Sequence, residues 1–205
     1  LSVWEEVPAG LWPPQFQARL RFLRARLQPG ERVLDVGCGE GHFAVALLDA
    51  GMQVIAADIA EEPLRRARAL RPELEVCLLP VPSSAAGPWP LGDAEFDAIW
   101  AGETIEHVAD TAAWLSEVRR VLRPHGQLLL STPAHGRLRM LALALSRRAF
   151  AAHFDPRADH LRFYSRSTLA ALLQDFRFID IQLHELGGPP GARRTLLAAA
   201  RRARW

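Results

Sequence analysis

The clearest chemical pattern in this 205-residue chain is an acid, a glycine turn and a second acid about twenty residues further on. In Val33-Leu34-Asp35-Val36-Gly37-Cys38-Gly39-Glu40-Gly41-His42-Phe43 an apolar strand runs into three glycines at alternate positions and then into a helical pattern. Glycine permits the tight backbone such a turn needs, and the helix start beyond it presents unpaired N–H groups to a ligand. The spacing separates two classes of ligand. A dinucleotide turn carries its third glycine three residues after the second, whereas Gly37, Gly39 and Gly41 are evenly spaced, with Asp35 two residues ahead of them. A carboxylate there opposes a pyrophosphate and favours a cation. Asp58 closes the apolar run Val54-Ile55-Ala56-Ala57, where an acid accepts hydrogen bonds from ribose hydroxyls or caps the helix beginning near Glu61-Glu62-Pro63.

These residues need a scaffold of alternating strands and helices, and the apolar pattern supplies one. Phe16, Leu20, Leu23 and Leu27 have helical spacing before Pro29-Gly30 breaks it. Helices are also expected from Glu62 to Leu70, around Trp114, Leu115, Val118 and Leu122, and around Leu169, Leu172 and Leu173. Beyond the two acidic strands, strands are expected at Val76–Leu79, Phe96–Trp100, Gln127–Ser131 after the turn Arg123-Pro124-His125-Gly126, Phe178–Leu183 and Thr195–Ala199. The chain reads as one α/β domain over 1–205, with residues 1–29 as a helical cover carrying Trp4 and Trp12, which pack or close the ligand mouth.

Bulk composition narrows the function classes. A 49% hydrophobic content suffices for a full α/β core, and a net charge of +2 gives no global case for nucleic acid. The basic end Arg201-Arg202-Ala203-Arg204 reads as a solvated tail. All 25 basic residues are arginine, which excludes lysine Schiff-base chemistry. Cys38 and Cys77 sit in unrelated segments, so neither a disulfide framework nor a cysteine metal site is indicated, and a reducing cytoplasm is the expected setting. No apolar run reaches membrane-spanning length and no charged-then-apolar leader is visible. Nothing in the pattern points to an oligomeric state.

Leu34 to Gly41 resembles the first motif of the class I S-adenosylmethionine-dependent methyltransferases. Phe96-Asp97-Ala98-Ile99-Trp100, Glu103-Thr104-Ile105-Glu106-His107-Val108, Glu117 to Gly126 and His160-Leu161-Arg162-Phe163-Tyr164-Ser165 are similar to the group containing the ubiquinone-biosynthesis O-methyltransferases. The resemblance covers nearly the whole chain. It implies a doubly wound, mainly parallel seven-stranded Rossmann-like sheet with an antiparallel final strand. It also implies S-adenosylmethionine as cofactor, S-adenosylhomocysteine as product, and a cofactor site of Asp35, Gly37, Cys38, Gly39, Gly41, Asp58, Ile59 and Ala101. Relatives carry an acid ahead of a Leu-Pro-Phe-type run to meet the adenine amino group. Here Pro82 to Leu91 holds no acid, and adenine recognition is left to a backbone carbonyl or a serine.

Methyl transfer to a hydroxyl of a small-molecule acceptor needs alignment and a base tuned near neutrality. His107 and His160 are the candidates, with Glu103 or Glu106 to orient an imidazole. His42, His125, His135, His153 and His184 read as surface or turn residues. No metal is expected. The alternative is a metal site, because Glu103, Glu106 and His107 at i, i+3 and i+4 would share a helical face, with His160 as fourth ligand. A similar arrangement occurs in small-RNA 3′-terminal 2′-O-methyltransferases. A second alternative is a methyltransferase fold serving as a non-catalytic interaction module. Residues 134–165 occupy the position of a substrate lid. Within them Leu138, Leu141, Leu145 and Phe150, flanked by Arg137, Arg139, Arg147 and Arg148, form an apolar stripe suited to a membrane surface or a lipophilic acceptor. The expectation is an ordinary lid helix packed on the core.

Overall fold

The computed structural model describes residues 8–81, 83, 85, 87–189 and 193–204, so Trp4 and positions 82, 84 and 86 of the acid-free stretch lie outside the described residues. Helix α1 (Phe16–Arg24) precedes strand β1 (Arg32–Val36), helix α2 (His42–Leu48), β2 (Gln53–Asp58), α3 (Glu61–Leu70) and β3 (Glu75–Leu78). The second half begins with β4 (Phe96–Gly102), a 3-10 turn (Ile105–His107), α4 (Thr111–Val121) and β5 (Leu122–Pro133). It ends with α5 (Arg137–Ala144), α6 (Arg147–His153), α7 (Arg166–Asp175), β6 (Phe178–Leu186) and β7 (Thr195–Arg202).

The seven strands lie in the order β3-β2-β1-β4-β5-β7-β6. β1 to β5 pair in parallel, and β7 runs antiparallel to both β5 and β6. This is the mainly parallel sheet with an antiparallel final strand. Successive residues of a strand face opposite sides. Leu34, Ile55 and Ile99 therefore pack with α4 and α7, while Val33, Val54 and Ala98 pack with α1 and α2. Burial on both sides explains why the central strands read as continuous apolar runs.

The chain winds outward from β1 through β2 to β3, then crosses back to β4 on the other side of β1. Loops leaving the C-terminal ends of β1 and β4 diverge there, which opens the crevice where doubly wound sheets bind ligands. Gly37 to Gly41 and Glu103 to His107 are in those two loops.

Three expectations are corrected. Arg123 to Gly126 do not simply precede β5. The ladder passes from Phe96↔Leu122 to Ala98↔Gln127, so the intervening residues bulge out, with His125 at φ 64°. Arg201 and Arg202 belong to β7 and not to a solvated tail. Arg201 donates to the His125 carbonyl at 3.0 Å and Arg202 to the Leu122 carbonyl, which ties the edge of the sheet to the bulge. The helices of the segment 134–165 do not bury a face on the core, although Ala134 and Tyr164 at its two ends belong to the core. α5 and α6 contact each other, neither buries a residue, and Leu145 is 82% exposed.

Candidate functional site

The glycine turn takes left-handed φ values of 70°, 54° and 79° at Gly37, Gly39 and Gly41. Gly37 and Cys38 donate their N–H groups to the Ala57 carbonyl at 2.8 and 3.0 Å, which fastens the turn to β2. A Cβ on Gly37 would stand 2.5 Å from the Thr104 hydroxyl, and one on Gly41 would stand 2.9 Å from the Ala67 methyl. The absent side chains thus make room for neighbouring protein as well as for ligand. Thr104 uses that closeness to donate to the Val36 carbonyl at 3.0 Å.

Asp35 is 2% exposed and one of its carboxylate oxygens has no hydrogen-bond partner among the described residues. Burial raises its pKa to about 8, with the nearby charge of Asp58 acting in the same direction. Asp58 is also buried, and burial raises its pKa too. Its carboxylate accepts from the Gly39 N–H at 3.2 Å and the Ala60 N–H at 3.0 Å. Ala60 and not Asp58 occupies the N-cap position of α3.

A cavity of about 140 Å³ lies between these loops, lined by Gly37, Asp58 and Ile59 and, across from them in sequence, by Trp89, Thr104 and His107. Ile59 is half-exposed at 54%, whereas Ala101 is completely buried within β4. Cys38 is an unpaired thiol whose pKa burial pushes up. Trp12 contacts the rings of Phe16 and His42 at 4.8 and 4.7 Å while remaining exposed. A larger surface groove of about 930 Å³ shares Val81 and Ala109 with the cavity and continues past Arg162 to α7.

The segment of Glu103, Glu106 and His107 differs from expectation. Glu103, at φ 55°, precedes the three-residue 3-10 turn and pairs with Arg19 of α1 at 2.9 Å, so no continuous helical face carries Glu103, Glu106 and His107. Glu106 is fully buried, and neither of its oxygens finds a hydrogen-bond partner among the described residues. Burial, reinforced by Glu103, raises its pKa to about 8. His107 Nδ1 lies 3.0 Å from the Asp159 carbonyl oxygen and 3.5 Å from the Asp159 carboxylate. The residue that orients His107 is thus Asp159, which sequence reasoning missed although it immediately precedes His160. The two imidazole rings meet at 4.8 Å. Ligand atoms of Glu106, His107 and His160 all fall within 4.8 Å of one another, so three of the four residues expected for a metal set come together.

His135 is not a surface residue. It is 9% exposed, beyond the end of β5, with both ring nitrogens unpartnered and a pKa lowered to about 4 by burial and by Arg139. Phe163 and His153 stand 5.0 and 5.3 Å from its ring. Its place just past the C-terminal end of an inner strand was the available signal.

Sheet order, glycine turn and cavity define a class I methyltransferase fold. A family model described as a methyltransferase domain matches residues 11–183, and the chain belongs to that family. The ubiquinone biosynthesis O-methyltransferase of Xanthomonas campestris is 35% identical over 177 residues, covering 83% of this chain and 71% of the relative. The malonyl-[acyl-carrier protein] O-methyltransferase of Erwinia pyrifoliae is 36% identical over 119 residues, 57% of this chain and 44% of that one. Among solved structures, the 1,6-didemethyltoxoflavin-N1-methyltransferase of Burkholderia thailandensis, crystallised with 1,6-didemethyltoxoflavin and S-adenosylhomocysteine, superposes with a TM-score of 0.67 at 22% identity. That match covers 91% of this chain and 77% of the other. The protein is an S-adenosylmethionine-dependent methyltransferase. The left-handed turn at Gly37 and the Asp58 carboxylate, both lining the cavity, fit that cofactor.

Proposed function

We propose that this enzyme methylates a hydroxyl oxygen of a small, lipophilic acceptor, with His107 as the base. The observation that carries the reading is that His107 lines the same cavity as Gly37 and Asp58, while its Nδ1 faces the Asp159 carbonyl. A carbonyl only accepts, so the proton resides on Nδ1 and Nε2 keeps its lone pair for an incoming hydroxyl.

When bound, S-adenosylmethionine supplies a methyl group already activated by a sulfonium. The protein's task is then alignment and proton removal. Asp58 would hold the ribose hydroxyls, Ile59 would support the base, and the carboxylate of Asp35 would favour the cationic end. Gly37, Cys38, Gly39 and Gly41 let the backbone pass close beneath. His107 would take the proton that the acceptor hydroxyl loses, and His160 packs beside it. Arg19 and Glu103 hold the loop that carries His107.

Residues 134–165 serve as the lid. Four arginines and no acid occur from 137 to 154, beside exposed Leu138, Leu141, Leu145 and Phe150. That composition suits an acceptor met at an anionic membrane surface by a protein with no described helix long and apolar enough to cross it. Both cysteines are free thiols, in keeping with a cytoplasmic setting.

Turnover on a phenolic acceptor tests the reading. His107→Ala should lower kcat on the order of 10²-fold or more while leaving S-adenosylhomocysteine affinity unchanged, because a base acts in the transition state. A chelator should leave turnover intact. Loss of turnover on chelation, restored by manganese, would install a metal at Glu106, His107 and His160 in place of the base.

A further inference from the structure

The segment 136–158 leaves the body of the protein and returns to it beside its own starting point. Ala134 and Tyr164 pair as an isolated bridge, His135 donates its N–H to the Tyr164 carbonyl at 2.9 Å, and Leu161 and Arg162 donate to the Glu106 carbonyl at 2.8 and 3.0 Å. Between those pinned ends, α5 and α6 bury no residue of their own. A cluster of rings seats α6. His153, its last residue, stands 5.3 Å from His135 and 5.7 Å from Phe163, and Phe163 stands 5.0 Å from His135 and 5.5 Å from Phe154. Both ring nitrogens of His135 and Nε2 of His153 are buried there without a hydrogen-bond partner among the described residues.

We propose that the contact between His135 and His153 is a pH-sensitive latch, which holds this flap down while both rings are neutral and releases it when His135 takes a proton. An imidazolium has two N–H donors to satisfy, whereas the seated ring finds no partner for either nitrogen. Lifting α6 hydrates them with little loss of packing, because the helix carries no buried side chain with it. The charges facing the latch act in the same direction. Arg139 of α5 opposes a proton on both rings, His153 opposes one on His135, and His160 opposes one on His153. The backbone of Tyr164 and Pro133 favours a proton on His135, but more weakly. Burial and these charges hold His135 at about 4, against 6.5 for an ordinary imidazole. The seated flap therefore keeps its full advantage above pH 6.5 and loses it about tenfold per pH unit as pH falls from there towards 4. The inference concerns the flap alone and stands apart from the identity of the acceptor and of the base.

Hydrogen exchange of the α5 and α6 amides, read by mass spectrometry at pH 7.5 and pH 5 and divided by the intrinsic exchange rate at each pH, tests the latch. Relative to α4, protection of the wild-type flap should fall about tenfold or more at pH 5. His135→Phe keeps a ring in the seat and takes no proton, so its flap should stay protected and lose most of that dependence. Wild-type protection that follows α4 at both pH values, or an equal fall in His135→Phe, would overturn the proposal. Should the variant fail to fold, titration of the wild type by NMR decides the matter. Among the seven histidines, His135 should titrate well below 6.5, and the α6 amide signals should shift with the same midpoint. A His135 midpoint near 6.5, or α6 signals that do not follow it, would overturn the proposal equally.

Discussion

The two walls of the site are built differently. On the cofactor side, one stretch of about ten residues makes strand, turn and helix start, and Asp58 reaches it from the neighbouring strand. Backbone hydrogen bonds fix that wall, as the Ala57 carbonyl holds two successive turn amides. On the acceptor side, Arg19, Glu103, Asp159 and His135 converge from four separated segments. Their contacts join distant segments through side chains, as in the Arg19–Glu103 ion pair and the His107 imidazole on the Asp159 carbonyl, and Glu106 and His135 keep buried polar atoms without hydrogen-bond partners among the described residues. The first wall is specified by local geometry and the second by packing between distant parts of the chain. Cofactor chemistry therefore survives across very different acceptors, while acceptor chemistry is free to vary.

The largest effect should come from adding one methyl group to the first wall. Gly37→Ala combines φ 70° with a Cβ 2.5 Å from the Thr104 hydroxyl, which lies on the second wall, so both should suffer. Destabilisation of about 1–3 kcal/mol from the backbone alone, with more from the clash, should accompany loss of measurable S-adenosylhomocysteine binding. Gly30→Ala, at φ 89° with open space around it, should bind normally and lose only the backbone contribution. Equal behaviour of the two variants in thermal unfolding and calorimetry would erase the distinction between strain and contact.

Asp58→Ala comes next. Loss of charge-assisted bonds to ribose should weaken cofactor binding on the order of ten- to a hundredfold. Turnover at saturating cofactor should change little by comparison. Affinity that stays unchanged would reduce Asp58 to a brace for the Gly39 and Ala60 amides.

On the second wall the readout is pH. The pKa of Glu106 is about 8 in the folded protein against 4.5 without the fold, so the native state binds the extra proton more strongly between those values. Stability is then greatest below about 4.5, as far as this group is concerned, and is lost as pH rises towards 8. Glu106→Gln should remove that part of the loss and raise stability at pH 8 relative to wild type by an amount on the order of 1 kcal/mol or more. Denaturant unfolding at pH 5 and pH 8 measures it. Asp35 contributes to the same window, so part of the slope should remain in the variant. A variant slope equal to that of wild type would mean that Glu106 ionises freely.

The smallest stability effect belongs to the lid. Leu145→Asp, at a position 82% exposed, should change stability by no more than about 0.5 kcal/mol. It should nevertheless weaken sedimentation with phosphatidylglycerol vesicles if the lid is the surface that meets lipid. Vesicle binding that ignores the substitution would leave the exposed leucines to the acceptor alone.

Legibility follows the same division. The glycine turn, Asp35, Asp58, the strand sequence and the apolar face of α1 could be read directly, because each depends on spacing within a short window. The bulge at Arg123 to Gly126 was hidden, since it is visible only against the register of β4. So was the ordering of Arg201 and Arg202, whose partners are carbonyls about eighty residues away.

What the amino-acid sequence determined by itself is the fold and the local shape of the glycine turn, because hydrophobic period and glycine conformation act over a few residues. Only the tertiary structure decided that Glu103 serves Arg19, that Asp159 stands behind His107, and that His135 and Trp89 are buried. Those outcomes depend on which side chains meet when seven strands and their crossovers close, and a buried polar group takes whatever partner that closure brings within reach.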